Sequence, residues 1–436
     1  VKKVSVFWFR RDLRLFDNAG LFAALSGEWD VLPVFVFDKD ILEGLEDKQD
    51  RRLNFIYQEL EQLKKAIEAT GGCMEVMFDR PIDAFQRLTE KYSIAAVFTN
   101  RDYEPYALTR DKAVEQFLEK KGIALHTSKD QVIFEKDEIV KEDGSPYTVF
   151  TPFSRKWKAR LLQEGLPAYP SEKKLDRLFQ ESPIAMPSWS SLGFEPINFD
   201  FPGKTVENTL VKKYAETRNL PAIKGTSLLG LHLRFGTVSV RQLAKQALET
   251  SETFLNELIW REFFQMILWH FPKVVTACFK PQYERVPWRN DPAGFQAWCT
   301  GHTGYPLVDA GMRELNATGF MHNRVRMVVA SFLTKHLLID WRWGEAYFAH
   351  KLLDYELASN NGNWQWAAGT GCDAAPYFRI FNPESQAKKF DPKEQYIKKW
   401  VSEIGSADYP APIVEHTFAR ERALDAYKQA LSKNEF

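Results

Sequence analysis

Cysteine is scarce and scattered: Cys73, Cys278, Cys299 and Cys372 are the only four in 436 residues, and no CxxC pair occurs. Such spacing supports neither a disulfide framework nor a zinc ribbon, and it predicts a reducing, cytoplasmic setting. Net charge is lacking too, since 58 Lys and Arg are balanced by 58 Asp and Glu. A uniformly basic nucleic-acid coat and an acidic tail protein are thereby excluded, although a local basic patch is not. No apolar run approaches the roughly 20 residues of a membrane span. The opening VKKVSVFWFRRDLRLFDN reaches its charges too soon to read as a signal peptide. At 44% apolar and 27% charged residues the composition is that of a folded chain of two or three domains.

Residues 1–135 alternate strand and helix. The short runs at 4–9, 31–37, 73–78, 95–100 and 123–127 are rich in Val, Ile and Phe, as buried parallel strands are. Helical spacing over 51–69 ends at Gly71–Gly72, and Pro81 and Pro105 open two further helices. The pattern predicts a doubly wound parallel sheet, whose ligands bind at the carboxyl ends of its strands. No GxGxxG follows the first strand, so the usual dinucleotide fingerprint is missing. Residues 136–204 read as a connector, Pro- and Ser-rich from 163 onward. From 205 to 436 the patterns are helical throughout, with a last helix expected over 418–431. The fold class is therefore α/β plus all-α: a Rossmann-like domain joined by a long linker to a helical domain.

Aromatic residues are abundant where cysteine is not. They make up 14% of the chain, and nine of the 13 Trp fall between residues 241 and 400. Most of these serve a helical core, but each indole N–H wants a partner, so the density also suggests stacking or electron transfer. Residues 204–399 carry 25 Lys and Arg against 18 Asp and Glu, a modest hint of an anionic partner.

Four segments carry chemistry. In TSLLGLHLRFG (226–236), Thr226 and Ser227 are expected to start a helix after Gly225, where free N–H groups suit phosphate. In NELIWREFF (256–264), Glu257, Trp260, Arg261 and Phe264 share one helix face, which could wall a cavity that stacks a base. In TGFMHNRVRMVVA (318–330), Asn323 and Met327 share a face flanked by Arg324 and Arg326. In 352–386, Asn360–Asn361–Gly362 predicts a turn beside Trp364 and Trp366, suited to a planar cofactor.

Together with WFRRDLRLFDN near the start, these motifs resemble the photolyase/cryptochrome family over residues 4–400, and WQWAAGTGCDAAPYFRIFNP most resembles class I cyclobutane pyrimidine dimer photolyases. The resemblance implies FAD folded into the helical domain. Tyr214 and Thr226, Ser227, Leu228, Leu229 and Gly230 match the segment holding its phosphates. Asp354 and Glu356 match an acidic pair that usually reads DxD, whereas this chain reads DYE. Asn360 matches the residue facing flavin N5, a position where plant cryptochromes typically carry Asp.

The implied reaction is light-driven repair of UV-damaged DNA. The dimer flips out of the duplex, excited FADH⁻ lends it an electron, the ring splits and the electron returns. Glu257, Asn323 and Met327 match contacts to the lesion, with Glu257 expected protonated in an apolar setting. Trp260 and Trp366 match the indoles that bracket the lesion, and Arg261, Arg324 and Gln386 match DNA contacts. Trp364, Trp341 and Trp288 match a chain that carries electrons to an oxidised flavin.

Tyr106 and Ala107 stand where folate-binding relatives carry Asn and Glu, so a second, antenna chromophore is left open between a deazaflavin, another flavin and none. No metal, membrane or obligatory protein partner is expected, and a monomer is. The rival reading is a cryptochrome-type photoreceptor without repair, against which stand Asn360, the Glu257 and Asn323 pair and the short C-terminal end. A (6-4) photolyase is disfavoured because only His322 precedes Asn323 and no second His falls in a matching place.

Overall fold

The computed structural model describes residues 3–432. Five parallel strands form one sheet: β1 (Lys3–Phe9), β2 (Val31–Asp38), β3 (Glu75–Asp79), β4 (Ser93–Asn100) and β5 (Ala124–Ser128), in the order β3-β2-β1-β4-β5. Between them run α1 (Ala19–Leu25), α2 (Arg51–Glu68), α3 (Pro81–Lys91) and α4 (Pro105–Glu119). Successive strand side chains point to opposite faces, so β1 feeds two cores. Phe7 and Phe9 pack with Phe35, Phe37 and, from α2, Leu53 and Leu60. Val4, Val6 and Trp8 pack with Val34, Val36 and, from α3 and α4, Phe85, Leu88, Val114 and Leu118. A parallel sheet with an apolar helical layer on each face is the doubly wound arrangement the alternation predicts. The strand order reverses between β1 and β4, and at their carboxyl ends lies a shallow pocket bordered by Arg10, Arg11, Asp12, Asn100, Arg101 and Asp102.

The chain divides into two units, and both are discontinuous. The first takes the chain up to Glu135 together with Ala159–Thr205 and Leu229–Glu249. The second takes Lys136–Lys158, Val206–Leu228 and the chain from Thr250 onward. The stretch 136–204, expected as one connector, is thus shared between them. Its later part is held on the sheet of the first unit: Phe179 N–H donates to Val31 O at 2.7 Å, and Cys73 N–H donates to Phe179 O at 3.0 Å. Leu178 and Phe179 are buried there, which is why a segment without periodicity is nonetheless ordered. Residues 229–249, expected among the helical residues, also belong to the first unit. Arg241 Nε donates to Asp17 Oδ2 and its Nη2 to Asp130 Oδ1, both at 2.9 Å, while Arg14 Nη2 reaches both Asp130 oxygens at 2.8 Å.

The second unit is helical, with no strand among its described residues. Its site is built on α5 (Glu252–His270), α6 (Asn323–Ser331), α7 (Trp341–Lys351), α8 (Leu357–Ala368), α9 (Pro383–Phe390) and α10 (His416–Ser432). Two expectations are corrected here. Asn360–Asn361–Gly362 is not a turn, since α8 runs through it unbroken. The reason lies in packing: a Cβ on Gly362 would stand 2.2 Å from Phe264 Cδ1, so the glycine admits a ring of α5 against the helix. The helix after Gly225 begins at Gly230, not at Thr226, because Leu228 adopts a left-handed φ of 54° and interrupts it. Among the described residues no helix is long and apolar enough to cross a membrane, and no group of side chains is arranged to hold a metal ion.

Candidate functional site

A cavity of about 590 Å³, open solvent included, lies among α6, α7 and α8. Asn323 and Met327 border it from α6, Phe348 from α7, and Asn360, Trp364 and Trp366 from α8, with Asp354 and Glu356 from the segment before α8. Residues far apart in sequence and expected at one site are therefore brought together. Asn323 is the first residue of α6, whose N-cap is His322: the imidazole Nδ1 accepts from Arg324 N–H at 3.2 Å. Burial and the neighbouring Arg326, Arg324 and Arg218 push His322 down to about 4, so it stays neutral at pH 7.

The two acidic residues are held differently. Asp354 Oδ2 accepts from Arg326 Nη2 at 2.8 Å, while its buried Oδ1 has no partner. Glu356 Oε1 accepts from Arg261 Nη2 at 2.8 Å and from Gln265 Nε2 at 3.1 Å, and Oε2 accepts from the Ser359 hydroxyl at 3.2 Å. The extra methylene of Glu356 is thereby accounted for: it reaches across to α5. Arg261, expected at nucleic acid, binds this buried carboxylate through Nη2, with its side chain 10% exposed. Asn360 donates from Nδ2 to the Glu345 carbonyl at 3.1 Å and to Glu345 Oε1 at 2.9 Å.

Glu257 and Trp260 lie on α5. Glu257 is ion-paired with Arg218, so its setting is not purely apolar as expected. Burial nonetheless holds its carboxyl above the ordinary range, and the Arg218 guanidinium opposes that rise. Trp260 stacks on Phe150 with centroids 3.7 Å apart and rings within 3° of parallel, so the apolar partner fixes the indole plane. Tyr214 is buried and meets Phe254 of α5 edge-on at 5.1 Å, and burial and Glu257 raise its phenol well above the ordinary range. Arg324 Nη2 donates to Asn219 Oδ1 at 2.9 Å, and its guanidinium lies 4.3 Å over the Phe390 ring. Burial and the charges of Arg218 and Arg379 press on Arg324, leaving a group of cations that an anion would relieve. Gln386 sits on α9, its Oε1 buried without a partner. Thr226 and Ser227 precede Leu228, the residue of left-handed φ, and Leu229 and Gly230 follow it as N-cap and first residue of the next helix.

The three indoles expected to carry electrons share one core: Trp364 and Trp341 are buried in it and Trp288 packs against it. Trp364 meets Phe348 at 5.0 Å and Trp298 at 6.0 Å, and a Cβ on Gly344 would stand 2.1 Å from its Cη2, so α7 must present glycine there. Trp288 meets Tyr427 of α10 edge-on at 5.9 Å. Sequence reasoning passed over Arg218, Asn219, Gln265 and Glu345. Each sits outside the motif-dense segments or on a face that spacing does not mark, and only tertiary contact exposes it.

Residues 5–171 match the family model described as DNA photolyase, and residues 254–408 match the model described as the FAD binding domain of DNA photolyase. A deoxyribodipyrimidine photo-lyase of Synechococcus sp. is 37% identical, over 97% of this chain and 96% of that protein. The chain belongs to the DNA photolyase family. Among solved structures, a bacterial class III photolyase from Agrobacterium tumefaciens matches with a TM-score of 0.87 and 33% identity, over 99% of this chain and 98% of that one. An archaeal photolyase from Sulfolobus tokodaii, described with two FAD molecules that imply a novel light-harvesting cofactor, matches with a TM-score of 0.83 and 33% identity, over 98% of this chain and 99% of that one. The photolyase two-domain fold and its FAD-binding domain are therefore present. The cavity suits the flavin on a structural criterion as well. The bare, buried Oδ1 of Asp354 is an acceptor that calls for a donor from a ligand, since buried polar atoms are ordinarily paired.

Proposed function

We propose that this chain repairs DNA with light, splitting cyclobutane pyrimidine dimers to monomers with bound reduced FAD. The observation that carries the reading is the gathering of Asn323, Met327, Asp354, Glu356, Asn360 and Trp366 around one cavity with an unpaired buried acceptor. When bound, the flavin supplies the photoexcited electron that opens the cyclobutane ring, and the cofactor carries that hard step. Asp354 and Asn360 would offer acceptors to the bound flavin. Glu356 acts through Arg261 and Gln265 to fix the wall those acceptors stand on. Tyr214, Thr226, Ser227 and Leu228 would hold its phosphates.

The remaining residues present the lesion. Trp366 borders the cavity, and Trp260, its plane set by Phe150, offers the second indole of the clamp. Glu257 and Asn323 hydrogen-bond the polar edges of the dimer, and Met327 packs against it. The high-lying Glu257 carboxyl favours donation of a proton to a carbonyl, with Arg218 tempering that tendency. Arg324, Arg218 and Arg379 supply the cations for phosphate, which positions the strand without reading it. Gln386 adds a polar contact. Trp364, Trp341 and Trp288, which share one core, would offer the bound cofactor a route for electrons that activates it rather than repairing DNA. A second chromophore, where one is bound, would belong at the switch point of the sheet in the first unit. Tyr106 donates to Asp38 Oδ2 at 2.6 Å and does not supply the polar pair of a folate site.

The test is light-dependent repair. The purified protein is photoreduced, and thymine dimers in a short oligonucleotide are followed under blue light and in the dark. Loss of dimers only in light, abolished in Glu257→Ala with Asn323→Ala, supports the reading. A bound flavin with no repair of either single strand or duplex would replace it with the photoreceptor reading.

A further inference from the structure

Trp260 stands in a stack that two free rings would not choose. Phe150 lies face to face with it, centroids 3.7 Å apart and planes within 3° of parallel. Ring quadrupoles favour an offset or edge-on meeting over such a sandwich, so the arrangement is imposed by what holds the two rings. Phe263 meets the indole edge-on at 5.6 Å and Phe264 lies 5.5 Å away, but both stand on α5 with Trp260 itself. Phe150 comes from elsewhere in the chain, so it fixes the indole against its surroundings.

Phe150 is itself held at two points. Its ring meets the fully buried Phe263 edge-on at 5.9 Å. Its backbone N–H donates to Asp373 Oδ2 at 3.0 Å. Phe150 opens a helix (Phe150–Glu164), whose first N–H groups have no partner within the helix, and Val149 before it carries no side-chain acceptor. Asp373 supplies one from a distant segment, and a carboxylate suits the positive end of a helix. Asp373 also adopts a left-handed φ of 45°. Among residues with a side chain, Asn and Asp take that conformation most readily. Position 373 therefore requires a residue that tolerates this backbone and accepts a hydrogen bond.

We propose that Asp373 and Phe150 are positioning residues for the lesion: the carboxylate fixes the start of the helix, its first ring fixes the Trp260 plane, and the dimer stacks on an indole already in place. The inference rests on the repair reading above and deepens it. A surface ordered before binding removes the cost of ordering it at the moment of binding. An intact duplex keeps its bases stacked and meets only the cations that hold phosphate, so it gains nothing from the indole. The pair thus contributes to the preference for damaged over intact DNA, and not to general affinity.

The test uses the flavin-loaded protein in the dark, with a duplex carrying one thymine dimer and the same duplex without it. Phe150→Leu is expected to bind the damaged duplex about tenfold more weakly, the equivalent of about one aromatic pair, and the intact duplex as the parent does. Phe150→Tyr keeps the ring and should keep the preference. Asp373→Asn retains both backbone and acceptor and should match the parent. Asp373→Gly retains only the backbone and should lose about threefold on the damaged duplex alone. Beside Trp260→Leu the Phe150→Leu loss should vanish, because it acts through the indole. A parent that binds the two duplexes alike overturns the repair reading and this proposal with it. With a parent that discriminates, four results overturn the proposal alone. They are a Phe150→Leu variant as selective as the parent, equal weakening on both duplexes, an undiminished loss beside Trp260→Leu, and an Asp373→Gly variant that matches Asp373→Asn.

Discussion

Glu356→Asp, which restores the family's usual DxD, is expected to destabilise the second unit. Glu356 accepts from Arg261 at 2.8 Å and from Gln265 at 3.1 Å, and the two charged side chains are 8% and 10% exposed. Removing one methylene draws the carboxylate back by about 1.5 Å. At an effective dielectric near 20 the Arg261 attraction then falls from about 5.9 to about 3.9 kcal/mol. The Gln265 hydrogen bond contributes roughly another 1 kcal/mol that is lost. One effect opposes these. Position 356 is the N-cap of α8, and Glu356 makes no side-chain cap bond there. Asp is a strong N-cap residue and would return about 1 kcal/mol. The net cost is about 2 kcal/mol, or a fall in Tm of ~4–8 °C for a unit of this size. Urea unfolding followed by tryptophan fluorescence reads it, since most of the indoles lie in this unit. The Arg261→Met background supplies the control, because the loss should shrink there. A variant as stable as the parent, or more stable, refutes the reasoning: the cap would outweigh the clasp, and the Arg261–Glu356 pair would contribute nothing.

Other outcomes follow from the same kind of argument. Asp130→Asn keeps the shape of a carboxylate that binds Arg14 and Arg241 in the first unit but removes its charge, and should cost about 3–5 kcal/mol in urea unfolding of that unit. Lys335 is buried, donates to Ala368 O at 2.8 Å and lies 3.6 Å over the Tyr427 ring, and burial holds its amine well below its ordinary range. The unfolded chain therefore binds the extra proton, so the stability of the parent rises with pH from the depressed value toward 10.5. Lys335→Met should stabilise by about 1 kcal/mol or more near neutrality and lose that advantage in alkaline urea titrations. Trp364→Phe should keep its flavin and repair dimers normally once chemically reduced, yet fail to photoreduce from the oxidised state in transient absorption.

The sheet was legible because each strand is a short apolar run and each helix start carries its own signal, Pro81 and Pro105 among them. The site was legible by a different route. Asn323, Met327, Asp354, Asn360 and Trp366 stand in motifs whose order resembles a known family, and no periodicity marks them. What stayed hidden was decided by tertiary contact. Gly362 sits in a sequence that favours a turn, yet the ring of Phe264 needs the space a helical glycine leaves. Leu178 and Phe179 lie in a Pro-rich stretch, yet the β2 backbone takes them as neighbours. Arg218 and Glu345 are ordinary charged residues in sequence, and only their partners, Glu257 and Asn360, give them meaning.

The dipeptide Asn360–Asn361 shows where that limit lies. The residues are identical and adjacent, and only the resemblance to the family separates them in sequence. In the structure Asn361 is satisfied at both ends: Nδ2 donates to Val274 O at 2.9 Å, and Oδ1 accepts from Gln365 Nε2 at 3.2 Å. Asn360 is satisfied only at its nitrogen and stands at the cavity. A buried amide with both ends paired is a structural bond, and its removal strands its partners at about 1–3 kcal/mol each. Asn361→Ala should therefore lower the urea midpoint while leaving the flavin potential unmoved, and Asn360→Ala should do the reverse. If both variants lost stability equally and neither changed the potential, the open end of Asn360 would have no ligand to meet, and the cavity would lose its claim to the flavin.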